Sequence, residues 1–500
     1  MMASRSHRTI NRRSLLAGAV GAGLATAPFI RARAQDTASA TTYAASPRKV
    51  LVLGAGMSGL TAALALHRRG HDVTVIEHQN RVGGRLLSIP LQDGQFSEAG
   101  GGHFRANMTT LMDYVLRFDL PILSMNDGLP RYLVDGKYGD GASPGAWPWD
   151  LLPHERNVTV AATLNRYLLL NHIDNTSVID PNWPDPEMLA HLDPLTVADL
   201  VLSAGGSEMF LKLLSAHGGL FESDASALTI EADLAYHFGD QALYRIAGGN
   251  DRLPQAIAEE LGDRVVLDAP VTLIDQTGER VRVVTEGGRE FAGDAVISTI
   301  PFSVLPEVEV RPGWSAGKAR MLEEMVWSRT VKLVVQTRTP QWLTQGVHGW
   351  PMAGGDRPWE RLIDITGNEP GGHGNTFFYM NGPNSDAYRA MPAATRERDL
   401  VAMFEADMPG LLGEVIHTET FDWLAQPWIK GSFGDLPPGG GWMIAEWTRP
   451  EDRIHFAGDF TTLKSGWVEG AIESGLRAAR QIDPLAPAES APMPEVIPAT

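Results

Sequence analysis

The sequence predicts an α/β fold, and three stretches carry that expectation. From Val50 to Glu77 the chain reads strand, glycine turn, helix, strand. Beyond Gly248 it alternates helix with strand again, and from Ile454 to Ile482 it closes on strand, loop and helix. Short apolar runs separated by amphipathic helices are the pattern of a sheet covered by helices.

Length and composition set the frame. The 500 residues are 43% hydrophobic and 20% charged, which leaves room for two or three globular domains. A net charge of −18 argues against nucleic-acid binding, which requires a basic stripe. There is no cysteine, so disulfides, thiolate metal sites, cysteine nucleophiles and a thioether-linked cofactor are all excluded. The histidines are scattered and lack metal-ligand spacing such as H-E-x-x-H.

The N-terminus reads as an export signal. Arg12-Arg13 precedes a mildly apolar run from Leu15 to Ile30, followed by the small-x-small signature Ala32-Arg33-Ala34. This is the pattern of a twin-arginine (Tat) signal over residues 1–34, which predicts a periplasmic or secreted protein exported already folded. The segment holds six arginines and no acid, so cleavage makes the mature chain more acidic still. No later stretch is long and apolar enough to span a membrane, so no stable insertion is expected after cleavage. Residues 35–47 are small and polar and predict a linker.

The next elements follow in order. A strand from Lys49 enters the first glycine turn, a helix spans Leu60 to Arg69, and a second strand runs from Asp72 to Ile76. A helix-like run covers Leu111 to Phe118, and the segment from Asp135 to Asp193 has patchy helical periodicity. Helical signals continue from Val197 to Leu214, and Arg252 to Leu261 predicts a helix. Val265–Leu267, Val271–Asp275, Arg280–Thr285, Ala295–Thr299, Val331–Thr337 and Thr376–Met380 alternate or run apolar as strands do. Ala394 to Met408 predicts a helix, and the Pro/Ala-rich stretch after Asp483 predicts a disordered tail.

Chemistry enters with Gly54-Ala55-Gly56-Met57-Ser58-Gly59, a G-x-G-x-x-G turn between strand and helix. Gly54 permits the tight turn, Gly56 lets backbone approach a pyrophosphate, and Gly59 lets the helix pack against the strand. The N–H groups of Met57 and Ser58 open the helix, where an anion is favoured. Glu77 ends the second strand, placed for ribose hydroxyls. That unit alone does not separate NAD from FAD. Arg81-Val82-Gly83-Gly84-Arg85 follows, with backbone that can approach a cofactor and an Arg85 that can neutralise phosphate. Gly100-Gly101-Gly102 then forms a second glycine cluster, suited to backbone lying against a flavin ring. Near the C-terminus, a buried strand delivers Gly458 and Asp459, and a helix begins at Trp467-Val468. Asp459 is a candidate for ribityl or pyrophosphate-side groups, and the helix start for the electron-rich edge of a reduced flavin.

Together these segments resemble the flavin-containing amine oxidase family, most of all its L-amino acid oxidase branch. The resemblance runs from about Arg48 to Ile482 and is most specific in YRIAGGNDRL from Tyr244, VKLVVQTRTPQW from Val331 and GWVEGAIESGLRAA from Gly466. It implies a Rossmann-type FAD-binding domain built from discontinuous segments (48–106, 236–313 and 436–484). It further implies a mixed-sheet substrate domain (107–154 and 314–435), a helical subdomain (155–235), a tail over 485–500, and a homodimer. FAD is expected to bind non-covalently.

The resemblance also assigns roles. Lys332 falls at the lysine that holds a water near flavin N5, Trp467 at the aromatic residue beside the flavin face, and Tyr379 at a tyrosine that grips substrate carboxylate. Val271 falls at the residue whose backbone meets adenine. One position departs: where the amino acid oxidases carry an arginine after the glycine cluster, this chain has His103, with Arg105 two residues on. An extended stretch would put His103 and Arg105 on one side. The missing arginine tilts the expectation toward an amine over an amino acid. The implied reaction is hydride transfer from the α C–H, giving an imine that is hydrolysed, with O2 reduced to H2O2. Two alternatives stay open: an amine dehydrogenase serving a periplasmic protein carrier, and a non-catalytic FAD-binding protein.

Overall fold

The computed structural model describes residues 44, 46–125, 129–173, 184–218, 225–229, 243–347, 351–354, 357–366 and 371–487. The expected export signal lies outside the described residues, as do most of the expected linker and tail.

In chain order, the strands that build two principal sheets are β1 (Lys49–Leu53), β2 (Asp72–Ile76), β3 (Arg131–Val134), β4 (Lys137–Asp140), β5 (Val265–Val266), β6 (Ala295–Ser298), β7 (Thr330–Thr337), β8 (Pro351–Ala353), β9 (Arg361–Asp364), β10 (Gly374–Asn381), β11 (Val415–Asp422) and β12 (Ile454–Phe456). Three helices position the site: α1 (Met57–Arg68), α2 (Thr109–Arg117) and α3 (Val468–Ile482).

The first sheet has the order β5-β2-β1-β6-β12, with every neighbour parallel. Its strands come from three separated stretches of chain, as a discontinuous Rossmann-type domain requires. The unbroken apolar run Val50–Leu53 is fully buried, as expected of a central strand with both faces covered. Helices α1 and α3 pack together on this sheet. Ser58 donates its hydroxyl to the Ala471 carbonyl at 2.8 Å. A Cβ on Gly475 would stand 2.3 Å from the Ser58 carbonyl oxygen, so this helix crossing requires glycine.

The second sheet has the order β11-β7-β10-β9-β8-β3-β4 and is mixed: β8 and β3 run parallel while the other neighbours are antiparallel. Its register sets Lys332 of β7 opposite Tyr379 of β10, and Tyr379 opposite Arg361 of β9. The alternate residues Val331, Leu333, Val335, Leu362, Phe378 and Met380 turn to the other face and pack with Trp359, Leu400 and Phe404. The period of two along each strand thus gives the sheet one apolar face and one that carries polar groups.

Helices at Val160–Leu170, Pro186–Leu192, Val197–Ser203 and Glu208–Gly218 supply the helical part expected of the middle of the chain. The third is started by a capping box between Thr196 and Asp199. Helix α2 starts two residues before the apolar run that predicts it. Its first N–H groups, at Thr110 and Leu111, donate to the buried carboxylate of Glu469 at 2.9 and 2.7 Å. A cap from so far along the chain leaves no local signal.

Candidate active site

One cavity of about 470 Å³ runs from the β1–α1 turn to the polar face of the second sheet. At its first end the three glycines of the turn have three different jobs. Gly54 has φ +107°, and a Cβ there would lie 2.4 Å from Oγ1 of Thr299. A Cβ on Gly59 would lie 2.0 Å from the Gly54 carbonyl oxygen, so this residue allows α1 to meet β1. Around the Cβ position of Gly56 nothing stands within 4 Å. Its missing side chain keeps space open at the N-terminus of α1, which no side chain caps.

Glu77 lies beside this turn, buried, and accepts the Ala55 N–H at 2.6 Å and the Gln79 N–H at 2.9 Å. Burial pushes its pKa up, and the two N–H bonds oppose that shift. Met57, Ser58, Gly83, Gly84 and Val271 line the same end of the cavity, whereas Gly59 lies behind it as a packing residue.

In the middle, Arg85 and Asp459 face each other. Arg85 donates to both carboxylate oxygens of Asp459 and, at 2.7 Å, to the Ser432 carbonyl. Asp459 also accepts the Gly466 N–H at 2.8 Å. Both side chains line the cavity, but as a neutral pair, and Arg85 is therefore not a free charge for phosphate. The site expected to hold Gly458, Asp459, Trp467 and Val468 does bring all four to the cavity wall.

The second glycine cluster is held by its carbonyls. Lys332 Nζ donates to the carbonyls of Glu98 and Gly100, Trp423 donates its indole N–H to Ala99 at 2.8 Å, and Asn250 donates to Gly101 at 2.8 Å. Four successive carbonyls, from Glu98 to Gly101, are thus tied down, and Gly100, Gly101 and Gly102 present their backbone to the cavity. A Cβ on Gly100 would lie 1.7 Å from the Arg85 carbonyl oxygen. Asn250 also donates its backbone N–H to the Glu98 carboxyl at 2.9 Å, and Ser88 donates its hydroxyl at 2.8 Å. Burial raises the pKa of Glu98 to about 8.

At the far end the polar face of the second sheet forms the wall. Thr330 and Lys332 of β7, Phe377 and Tyr379 of β10, and Arg361 and Ile363 of β9 all line the cavity. Lys332 Nζ lies 4.2 Å from the centre of the Phe377 ring and 5.3 Å from that of Tyr379. The Arg361 guanidinium lies 5.1 Å from the Tyr379 ring centre. Burial draws the Lys332 pKa down to about 7, with Glu98 opposing and Arg361 adding to the shift. Burial pushes the Tyr379 phenol up to about 12. Trp467 stands across from this wall at the uncapped start of α3, its ring 5.8 Å from that of His103 and edge-on to it.

His103 therefore joins the cavity, but Arg105 does not. The strand that contains Arg105 begins only at Phe104, so Gly102 and His103 lie outside the extended stretch whose alternation would have set His103 and Arg105 on one side. Phe104 and Arg105 are both buried and pair with Leu243 and Tyr244. Arg361, Trp423 and Asn250 are the participants that the sequence reading missed. Asn250 sits in the diagnostic YRIAGGNDRL run, where it could have been singled out. Arg361 and Trp423 reach the site through strand pairings far apart in sequence, and nothing local marks them.

These residues fit FAD. Two helix N-termini without side-chain caps open on one cavity, one beside the space kept clear by Gly56 and the other at Trp467. The first suits a pyrophosphate and the second the electron-rich edge of a flavin. The second glycine cluster bridges the start of α3 and the sheet wall: a Cβ on Gly101 would lie 3.7 Å from Val468, and one on Gly102 3.2 Å from Phe377.

The chain matches the model of the family described as flavin containing amine oxidoreductase over residues 57–483. Residues 13–93 also match that of the pyridine nucleotide-disulphide oxidoreductases. Over 463 residues it is 27% identical to flavin-containing amine oxidase B of Homo sapiens, covering 87% of this chain and 85% of that one. It is 25% identical to an L-amino-acid oxidase of Bothrops atrox over 460 residues, covering 88% and 89%. Among solved structures, cyclohexylamine oxidase from Brevibacterium oxydans shares the fold with a TM-score of 0.74. That match covers 87% of this chain and 99% of the other at 24% identity.

Proposed function

Since the chain belongs to the flavin-containing amine oxidoreductases, FAD-dependent enzymes that oxidise small amines or amino acids, we propose that it works as an oxidase. In this reading the substrate R₂CH–NH₂, O2 and water become R₂C=O, ammonia and H2O2. Bound FAD supplies the hydride acceptor and the route by which electrons reach oxygen.

The single observation that carries the proposal is the meeting of Lys332, Tyr379 and Trp467 on the cavity into which the dinucleotide turn opens. Tyr379 and Trp467 present aromatic surfaces that orient the substrate and exclude bulk water. Lys332 spends two N–H bonds on the carbonyls of Glu98 and Gly100. With a pKa near 7 it changes charge in the working range, which suits a group that stabilises negative charge on oxygen and holds the water that hydrolyses the imine. FAD is held without a covalent bond in this reading, and the absence of cysteine rules out a thioether.

Oxygen uptake and peroxide release tell an oxidase from a dehydrogenase that serves a protein carrier. We expect one H2O2 for each O2 consumed, at the rate of substrate loss. Turnover that needs an added electron acceptor and yields no peroxide would replace the oxidase with the dehydrogenase.

A further inference from the structure

We propose that Arg361 binds the substrate's carboxylate, so that the molecule oxidised is an α-amino acid and not a simple amine; this rests on the reading of the cavity as the place of amine oxidation. Arg361 is 2% exposed, yet it lines the cavity from β9. Its Nε is buried and has no hydrogen-bond partner among the described residues. Its one ion pair among the described residues, from Nη2 to the neighbouring Glu360, is 3.5 Å long. Glu360 does not line the cavity, and its carboxylate accepts the Asn381 N–H at 2.7 Å. A buried guanidinium with one N–H unmet and only a long ion pair beside it is costly unless an anion arrives, and its planar fork matches the two oxygens of a carboxylate.

The surroundings point the same way. Arg361 and Lys332 flank the Tyr379 ring from neighbouring strands. The other residues that line this wall, Thr330, Ile363, Phe377 and Trp423, bring no acid. A simple ammonium ion would meet two basic groups on this wall and no carboxylate to pair with. An amino acid offers a carboxylate to the cations, and they in turn favour the neutral amine that hydride loss requires. The grip missing after the glycine cluster is thus replaced from the sheet. Arg105, the nearer candidate in sequence, is outside the cavity.

Steady-state kinetics of the flavin-loaded wild type, Arg361→Lys and Arg361→Met on L-amino acids and their decarboxylated amines test this, with bound flavin measured in each protein. The wild type should prefer amino acids, and propionate should inhibit it competitively. Arg361→Met should raise the amino-acid KM on the order of a hundredfold or more, with kcat changed far less, and should lose inhibition by propionate. Arg361→Lys should fall between the two. An unchanged KM in flavin-loaded Arg361→Met would overturn the assignment. If that variant does not hold flavin, failure of propionate to compete in the wild type overturns it instead. Turnover of amines alone brings down this inference and spares the oxidase, whereas flavin reduction by neither class brings down both.

Discussion

Lys332 shows how a residue's neighbours decide its chemistry. On an exposed strand it would be an ordinary surface cation; here burial holds its pKa near 7, while Glu98 and Gly100 fix its position. Below pH 7 it carries a charge, which in the proposed oxidase stabilises reduced oxygen, and above pH 7 it loses that charge. Reoxidation of reduced enzyme by O2 should therefore accelerate as pH falls through about 7. Lys332→Met should slow this half-reaction on the order of a hundredfold, remove its pH dependence, and affect flavin reduction much less. Stopped-flow traces of the two half-reactions decide it, and equal slowing of both would return Lys332 to a role in bracing the glycine loop. From the sequence the family resemblance alone singles out Lys332. Arg361 stayed hidden because its significance comes from standing beside Tyr379, a pairing that the local pattern of β9 does not encode.

At the scale of the element, the β1–α1 turn separates packing from binding within a few residues. An added methyl at Gly59 collides with the Gly54 carbonyl, whereas one at Gly56 meets no protein atom and intrudes only on the space for the cofactor. Gly59→Ala should destabilise the apoprotein by about 1–3 kcal/mol, the usual cost of overpacking. Gly56→Ala should leave the apoprotein's melting temperature unchanged and weaken FAD retention. Thermal melts with and without added FAD distinguish the two, and a large loss of apoprotein stability in Gly56→Ala would contradict the division. This element was legible because its strand, turn, helix and terminal acid are contiguous and each has a local signature. The start of α2 was not, because Glu469 caps it from another part of the chain.

The whole molecule joins two sheets with opposite logic around one cavity. The parallel sheet is buried on both faces and supplies glycine turns and helix N-termini, while the mixed sheet keeps one face apolar and turns Lys332, Tyr379 and Arg361 inward. The α/β class could be read from the sequence because its strands, glycine turns and helices have local signatures, and the segmented cofactor domain came with the family resemblance. The charge of the substrate pocket could not, since β7, β9 and β10 meet only through long-range pairing. In the proposed oxidase these sheets bring an oxidisable C–H to a flavin. The most direct test is anaerobic addition of L-amino acids and their decarboxylated amines to the purified yellow protein, with flavin absorbance followed. Bleaching by at least one amino acid, with colour restored when oxygen is admitted, is the predicted result; absorbance unchanged by every member of both classes would contradict it.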